Sequence, residues 1–255
     1  MITKQNQMSK ILYYFFIISL LTILGCSKDP CNDLDSGVYK YPEKEAKGKS
    51  LAESIELYRI PEQVLQCIST EGLILSCISY PEMRMIWTRN SLQQGFDYIE
   101  DKCNGYEELW RREDKNQVFI DLYLLLDFER NWTDFTDLEN GQYVDNIIRH
   151  ELIMAQDEIL MDLTDNEKLD LFQLVLEKQK VKKLKSQDFG VLGMAGSIAI
   201  LSRIMLYDQY PPFLEKYEDN WGMMVAVDLI QGIHEMGREE IMNFSEDFLE
   251  ILKNK

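Results

Sequence analysis

From Leu51 to the carboxyl terminus, apolar residues return every three or four positions with almost no interruption. That spacing puts them on one face of an α-helix. Val144, Ile148, Leu152, Ala155 and Ile159 recur at four, four, three and four residues. No run of alternating β-branched residues bounded by turn residues accompanies them, so strands are not expected. The chain is therefore expected to be all-α, a multi-helix array in which each helix buries one stripe against its neighbours.

Local signals fix where the helices begin and end. Ser91-Leu92-Gln93-Gln94 and Thr164-Asp165-Asn166-Glu167 each set a capping hydroxyl three residues before Gln or Glu, which predicts two helix starts. Asn104-Gly105 predicts the end of the helix opened at Ser91, because glycine accepts the left-handed conformation there. Pro61 and Pro81 suit a first helical turn, where an amide hydrogen is dispensable. Val118 to Phe128 is rich in leucine and predicts a buried helix. Leu169, Phe172 and Leu176 share a face of the helix behind Thr164. The lysines from Lys178 to Lys185 are expected to set cations near its negative end, with an anion-binding role as the alternative.

Phe189 to Ser202 carries no charge over 14 residues. It is too short to span a bilayer and is expected to be the innermost helix. Gly190, Gly193 and Gly196 would let a neighbour approach it closely. Helices are also expected over Trp221–Met236 and Arg238–Leu252, with Trp87, Trp110 and Trp221 as core anchors. Glu71 to Ile78 before Tyr80-Pro81 echoes Ala195 to Ser202 before Tyr210-Pro211-Pro212. A helix, a Tyr-Pro turn and a second helix are the unit of an armadillo- or HEAT-like stack of helical hairpins.

The amino terminus is of another kind. Lys4 and Lys10 are its only charges before an apolar run from Ile11 to Leu24, the pattern of a secretory signal. Ile23-Leu24-Gly25-Cys26 resembles the lipobox of bacterial lipoproteins. That resemblance implies cleavage before Cys26, acylation of its sulfur and new amino terminus, and anchorage to a membrane by several buried acyl chains. Ser27-Lys28-Asp29 resembles the export signals of Bacteroidota-type lipoproteins, which implies an outer-membrane location. The expected organisation is a signal peptide over 1–25, a lipidated tether over 26–50 and a single all-α domain over 51–255. Pro30, Gly37, Pro42 and Gly48 among many charges give the tether the composition of a spacer.

Charge narrows the partners. The full chain has a net charge of −17, and loss of residues 1–25 removes two lysines and no acids, giving −19. Nucleic acids and anionic bilayer surfaces both require clustered positive charge, so neither is an expected partner. A basic protein partner suits the balance. Cys31, Cys67, Cys77 and Cys103 lie beyond the lipobox. In an exported chain four cysteines allow two disulfides in any of three pairings, or they stay as reduced thiols.

Catalytic and metal templates fail residue by residue. His150-Glu151 and His234-Glu235 begin like His-Glu-x-x-His, but Met154 and Arg238 stand where the second histidine belongs. Ile147 and Gln231 replace the glutamates of a di-iron Glu-x-x-His pair. His150 beside an apolar face reads as a satisfied histidine at the margin of the core. Ala195-Gly196-Ser197 lacks the nucleophile-elbow pattern, and the glycines near it form no phosphate loop. No metal site, catalytic residue or cofactor is expected. The stretch around Trp132, Asp134, Phe135, Asp137 and Glu139 is the candidate binding loop, since aromatics beside acids suit sugar or peptide recognition.

Ser69-Thr70-Glu71-Gly72-Leu73, Cys77, Tyr80-Pro81, Gln94-Gly95-Phe96, Asn104-Gly105, Leu109 and Arg112 resemble a pattern in uncharacterised bacterial lipoproteins. Leu201-Ser202-Arg203-Ile204-Met205 before Tyr210-Pro211-Pro212-Phe213 is similar to the second half of that family. The resemblance implies an exported, all-helical domain and brings no activity or site residue with it. The expected function is thus a non-catalytic protein- or glycan-interaction module of the cell envelope. The alternatives are an immunity or inhibitor protein for a basic toxin, or an enzyme built on an unfamiliar pair of carboxylates.

Overall fold

The computed structural model describes Cys31, Leu34 and residues 37–254. The signal peptide and Cys26 lie outside the described residues. Every regular element is helical and no strand occurs among the described residues. The first half consists of α1 (Glu43–Ala46), α2 (Leu51–Leu57), α3 (Glu62–Leu65), α4 (Thr70–Ile78), a 3-10 helix (Pro81–Thr88), α5 (Leu92–Glu100), α6 (Asn104–Trp110) and α7 (Lys115–Leu125). A short 3-10 turn (Trp132–Asp134) leads into α8 (Asp137–Met154), α9 (Asp157–Leu160), α10 (Asp165–Leu184), α11 (Ser186–Gly193) and α12 (Ala195–Tyr207). The chain closes with α13 (Pro211–Asp219), α14 (Trp221–Asp228) and α15 (Glu235–Leu252). One apolar cluster runs through both halves, from Ala46 to Leu252.

The centre is α12. Eleven consecutive residues, Ala195 to Met205, are buried, and α8, α10, α14 and α15 pack around them. The uncharged segment is not one helix, however. Gly190 adopts φ 64°, which residues with a Cβ rarely occupy, and α11 meets α12 at 58°. The kink at Gly190 lies within α11, and the bend at Met194 lets α11 fold onto α8 while α12 enters the core. No single helix among the described residues is long and apolar enough to cross a membrane.

Several local expectations hold. Thr164 and Ser91 cap α10 and α5 through the amides of Glu167 and Gln94, and Pro81 opens the 3-10 helix at its first turn, whereas Pro61 stands one residue earlier, at the N-cap of α3. The two Tyr-Pro segments also correspond locally, since Tyr80 and Tyr210 are both buried. The hairpins around them differ: α4 has 9 residues and leads to a 3-10 helix, whereas α12 has 13 and leads to an α-helix.

Other expectations need correction. Asn104-Gly105 opens α6 rather than closing α5, which ends at Glu100. The Asn104 side chain accepts from Ile60 N–H and donates to Ile60 C=O, both at 2.9 Å, and so fastens two distant segments. Trp87 and Trp221 are exposed, so they are not core anchors; Trp132 is the buried tryptophan. The stretch expected as a tether packs on the domain through Cys31, Leu34, Tyr39, Tyr41 and Ala46. Tyr39 N–H donates to Ser76 Oγ at 2.9 Å, Tyr41 Oη to Ser76 C=O at 3.1 Å, and the Tyr41 ring meets Tyr58 and Tyr80 edge to face. Two tyrosines outweigh the polar composition around them, because each buries a large ring against α4.

The cysteines divide. Cys31 and Cys67 form a disulfide across 36 positions, while Cys77 and Cys103 are free and buried. Neither two disulfides nor four thiols describes the chain. Burial pushes the Cys77 thiol well up, and a hydrogen bond from Cys77 lowers Cys103.

Candidate functional site

Two places concentrate chemically capable groups, and they differ in access. The first is a cluster of charges inside the helical array. Glu151 on α8 faces Lys182 on α10, and both side chains are 0 % exposed. Lys182 Nζ lies 2.6 Å from both Glu151 carboxylate oxygens and 2.6 Å from Gly193 C=O, with Ser197 Oγ at 3.1 Å. The carboxylate also accepts from Tyr123 Oη at 2.6 Å and from Ser197 N–H at 3.1 Å. The Ser197 hydroxyl donates to Gln179 Oε1 at 2.6 Å. Five helices, α7, α8, α10, α11 and α12, thus contribute to one network.

Burial drives the Lys182 ammonium below its usual range, against the opposing pull of Glu151, and raises the Tyr123 phenol well above its own. The arrangement answers burial with partners. The three ammonium hydrogens have the carboxylate, Gly193 C=O and Ser197 Oγ to meet them, so neither charge is left bare. Gly196 is required beside it, since a Cβ there would sit 2.5 Å from Glu151 Cβ.

A lysine beside a serine also invites comparison with nucleophilic dyads. Here the amine donates to Ser197, the hydroxyl donates to Gln179, and Glu151 holds the amine as an ion pair. Such a lysine is not a free base for the hydroxyl proton. With Glu151, Lys182 and Ser197 all at 0 % exposure, the network does the work of joining helices.

This cluster is what the sequence reading missed. The lysine run is expected only to set cations near the end of α10, yet Lys178 and Lys182 are buried inside the array. Leu171, Val175, Lys178 and Lys182 follow one another at four, three and four residues, so the two lysines occupy the apolar register of α10. That was the available signal. Lys178 Nζ donates to Leu126 C=O at 2.6 Å and Leu124 C=O at 3.3 Å, closing the end of α7. Burial pushes its amine down to about 8.

The expected binding loop separates into parts. Trp132 turns inward, edge to face with Phe189 at 5.0 Å. Asp134 accepts from Asn131 Nδ2 at 2.8 Å. Asp137 lies in the first turn of α8, and Glu139 completes its capping box with Thr136. Phe135 is exposed, with the Arg130 guanidinium over its ring at 3.6 Å. These residues start a helix and brace it; they do not converge on one point. His150 is buried with Nδ1 2.8 Å from Asn146 C=O, and burial lowers its pKa. His234 is exposed at the start of α15. Among the described residues, no three His, Cys, Asp or Glu side chains are grouped to hold a metal ion.

The second place is open. Between α7 and α10 run two adjoining concavities of about 340 and 530 Å³ that share Leu124, Leu174 and Glu177. Leu124 and Leu125 are 60 % and 78 % exposed there. Exposed Asp121, Asp127, Glu129, Asp170 and Glu177 rim the leucines. None of these five acids is in a salt bridge among the described residues.

No family model matches the chain, and neither does any curated protein or solved structure.

Proposed function

We propose that the protein is a lipid-anchored, non-catalytic interaction module of the cell envelope, held at the outer membrane through Cys26. The anchoring half of this reading rests on the basic, apolar leader that ends at Ile23-Leu24-Gly25-Cys26, and on the resemblance of that ending and of the domain to bacterial lipoproteins. One observation carries the interaction half. The groups able to perform chemistry, Glu151, Lys182 and Ser197, are sealed and mutually satisfied, whereas the acid-rimmed leucines of the α7–α10 groove stand in solvent. Exposed apolar surface framed by polar residues marks a place where another molecule docks.

Anchoring is tested by expressing the full chain in a Gram-negative host fed an alkyne-tagged fatty acid. The wild type is expected to take up the tag and sediment with membranes, and Cys26→Ser to take up none and leave the membrane fraction. An untagged wild type, or a Cys26→Ser variant that still sediments with membranes, overturns the anchor. Turnover of an envelope polymer by the wild type, abolished by one substitution, overturns the non-catalytic reading.

A second reading, an immunity or inhibitor protein for a basic toxin, is favoured by the five unbridged carboxylates along the groove. It needs the same open surface and differs only in what the partner does.

A further inference from the structure

Resting on the interaction reading, we infer that the groove between α7 and α10 receives a cationic amphipathic helix of a partner protein. The groove offers both apolar surface and unbridged carboxylates. Its floor is apolar, with Leu124, Leu125, Leu174 and Val181 along it. Leu124 and Leu125 are more exposed than buried, so a docked segment would take two large apolar side chains out of water.

The backbone of the groove is not available for strand pairing. Both walls are helices, and two carbonyls at the end of α7, Leu124 C=O and Leu126 C=O, are taken by Lys178. An incoming segment therefore has to satisfy its own backbone, and a helix does so while laying one apolar stripe into the cleft. The α10 wall of the groove runs from Asp170 to Val181, about 17 Å at the helical rise, enough for about three turns of a docked helix.

Charge then selects the partner. Asp121, Asp170 and Glu177 stand along the walls, and Asp127 and Glu129 at the end of α7. Asp121 and Glu177 accept only from neighbouring glutamine amides, Gln117 and Gln173, at 2.9 Å each. Lys178, the cation of the groove, is turned onto the α7 carbonyls. Lysines or arginines flanking the apolar stripe of the partner would meet these carboxylates. A second copy of this chain would bring its own net charge of −17 against them, and an anionic lipid surface would be repelled likewise.

The test uses the full chain in neutral phosphatidylcholine nanodiscs, with empty discs subtracted. The probe is a fluorescent 18-residue helical peptide made of leucine and lysine in amphipathic register. If the chain is not anchored it stays free of the discs and is titrated in solution, so failure of the anchor and failure of the groove are read separately. Saturable one-to-one binding is expected, weakening with salt. The triple variant Asp121→Asn/Asp170→Asn/Glu177→Gln is expected to weaken it about tenfold, the scale of a few exposed charge pairs. Leu124→Ser/Leu125→Ser should weaken it further, with helical circular dichroism unchanged. A control that removes equal charge on α13, Glu215→Gln/Glu218→Gln/Asp219→Asn, is expected to stay within about twofold of wild type. Equal weakening by the two triple variants would mean that net charge alone attracts the peptide, and would overturn the proposal. Absence of saturable binding, or a dimer of the chain that occludes the groove, would overturn it as well.

Discussion

Replacing Lys182 with methionine is expected to lower the free energy of unfolding by about 3–5 kcal/mol, the loss that follows when one partner of a buried ion pair is removed. Glu151 would keep only the Tyr123 hydroxyl and the Ser197 amide as donors, too little for a carboxylate at 0 % exposure. Gly193 C=O and Ser197 Oγ would lose a donor in the same step. The variant Glu151→Gln/Lys182→Met should recover more than half of the loss, because no bare charge then remains in the core. Urea unfolding followed by circular dichroism measures all four corners of this cycle. A Lys182→Met variant within about 1 kcal/mol of wild type, with the two substitutions additive, would show that the pair is not what joins these helices.

Removing the Cys31–Cys67 link gives the second large effect. The bond closes a loop of 36 residues, and chain entropy alone assigns such a loop about 4 kcal/mol. Cys31→Ser/Cys67→Ser is expected to lose roughly 2–4 kcal/mol in the same urea experiment. The loss has a location, because the loop carries Tyr39 and Tyr41, which bond to Ser76 beyond it. Amide exchange at Tyr39 should therefore quicken in the variant before that of the α12 core. Unchanged stability together with unchanged exchange at Tyr39 would mean that the segment holds without its bridge.

These two effects also mark where the sequence could and could not be read. Helix content was legible because the apolar period of α8, α10 and α12 is long and regular, and the caps at Ser91 and Thr164 are chemical signals within four residues. The kink at Gly190 was hidden, since three glycines in an uncharged run look alike until one takes φ 64°. Asn104 was misread for the same kind of reason. As a helix terminator it is local, whereas its bond partners belong to Ile60, 44 positions away. Lys178 and Lys182 sat in a run of cations, and only their register with Leu171 and Val175 distinguished them from the solvated Lys180 and Lys183. The groove acids were unreadable as a set, because α7 and α10 are brought together by tertiary packing and 44 acids offer many apparent clusters.

Charge in this molecule thus has two uses. Inside, Glu151 and Lys182 hold five helices to one another; outside, the carboxylates between α7 and α10 are proposed to meet a basic partner. Titrating the cationic peptide onto the folded Glu151→Gln/Lys182→Met variant tests that division most directly. Wild-type affinity within about twofold is expected, because the substituted pair never meets the ligand. A tenfold or greater loss in a variant whose circular dichroism is native would contradict it and bring the buried pair into the binding site.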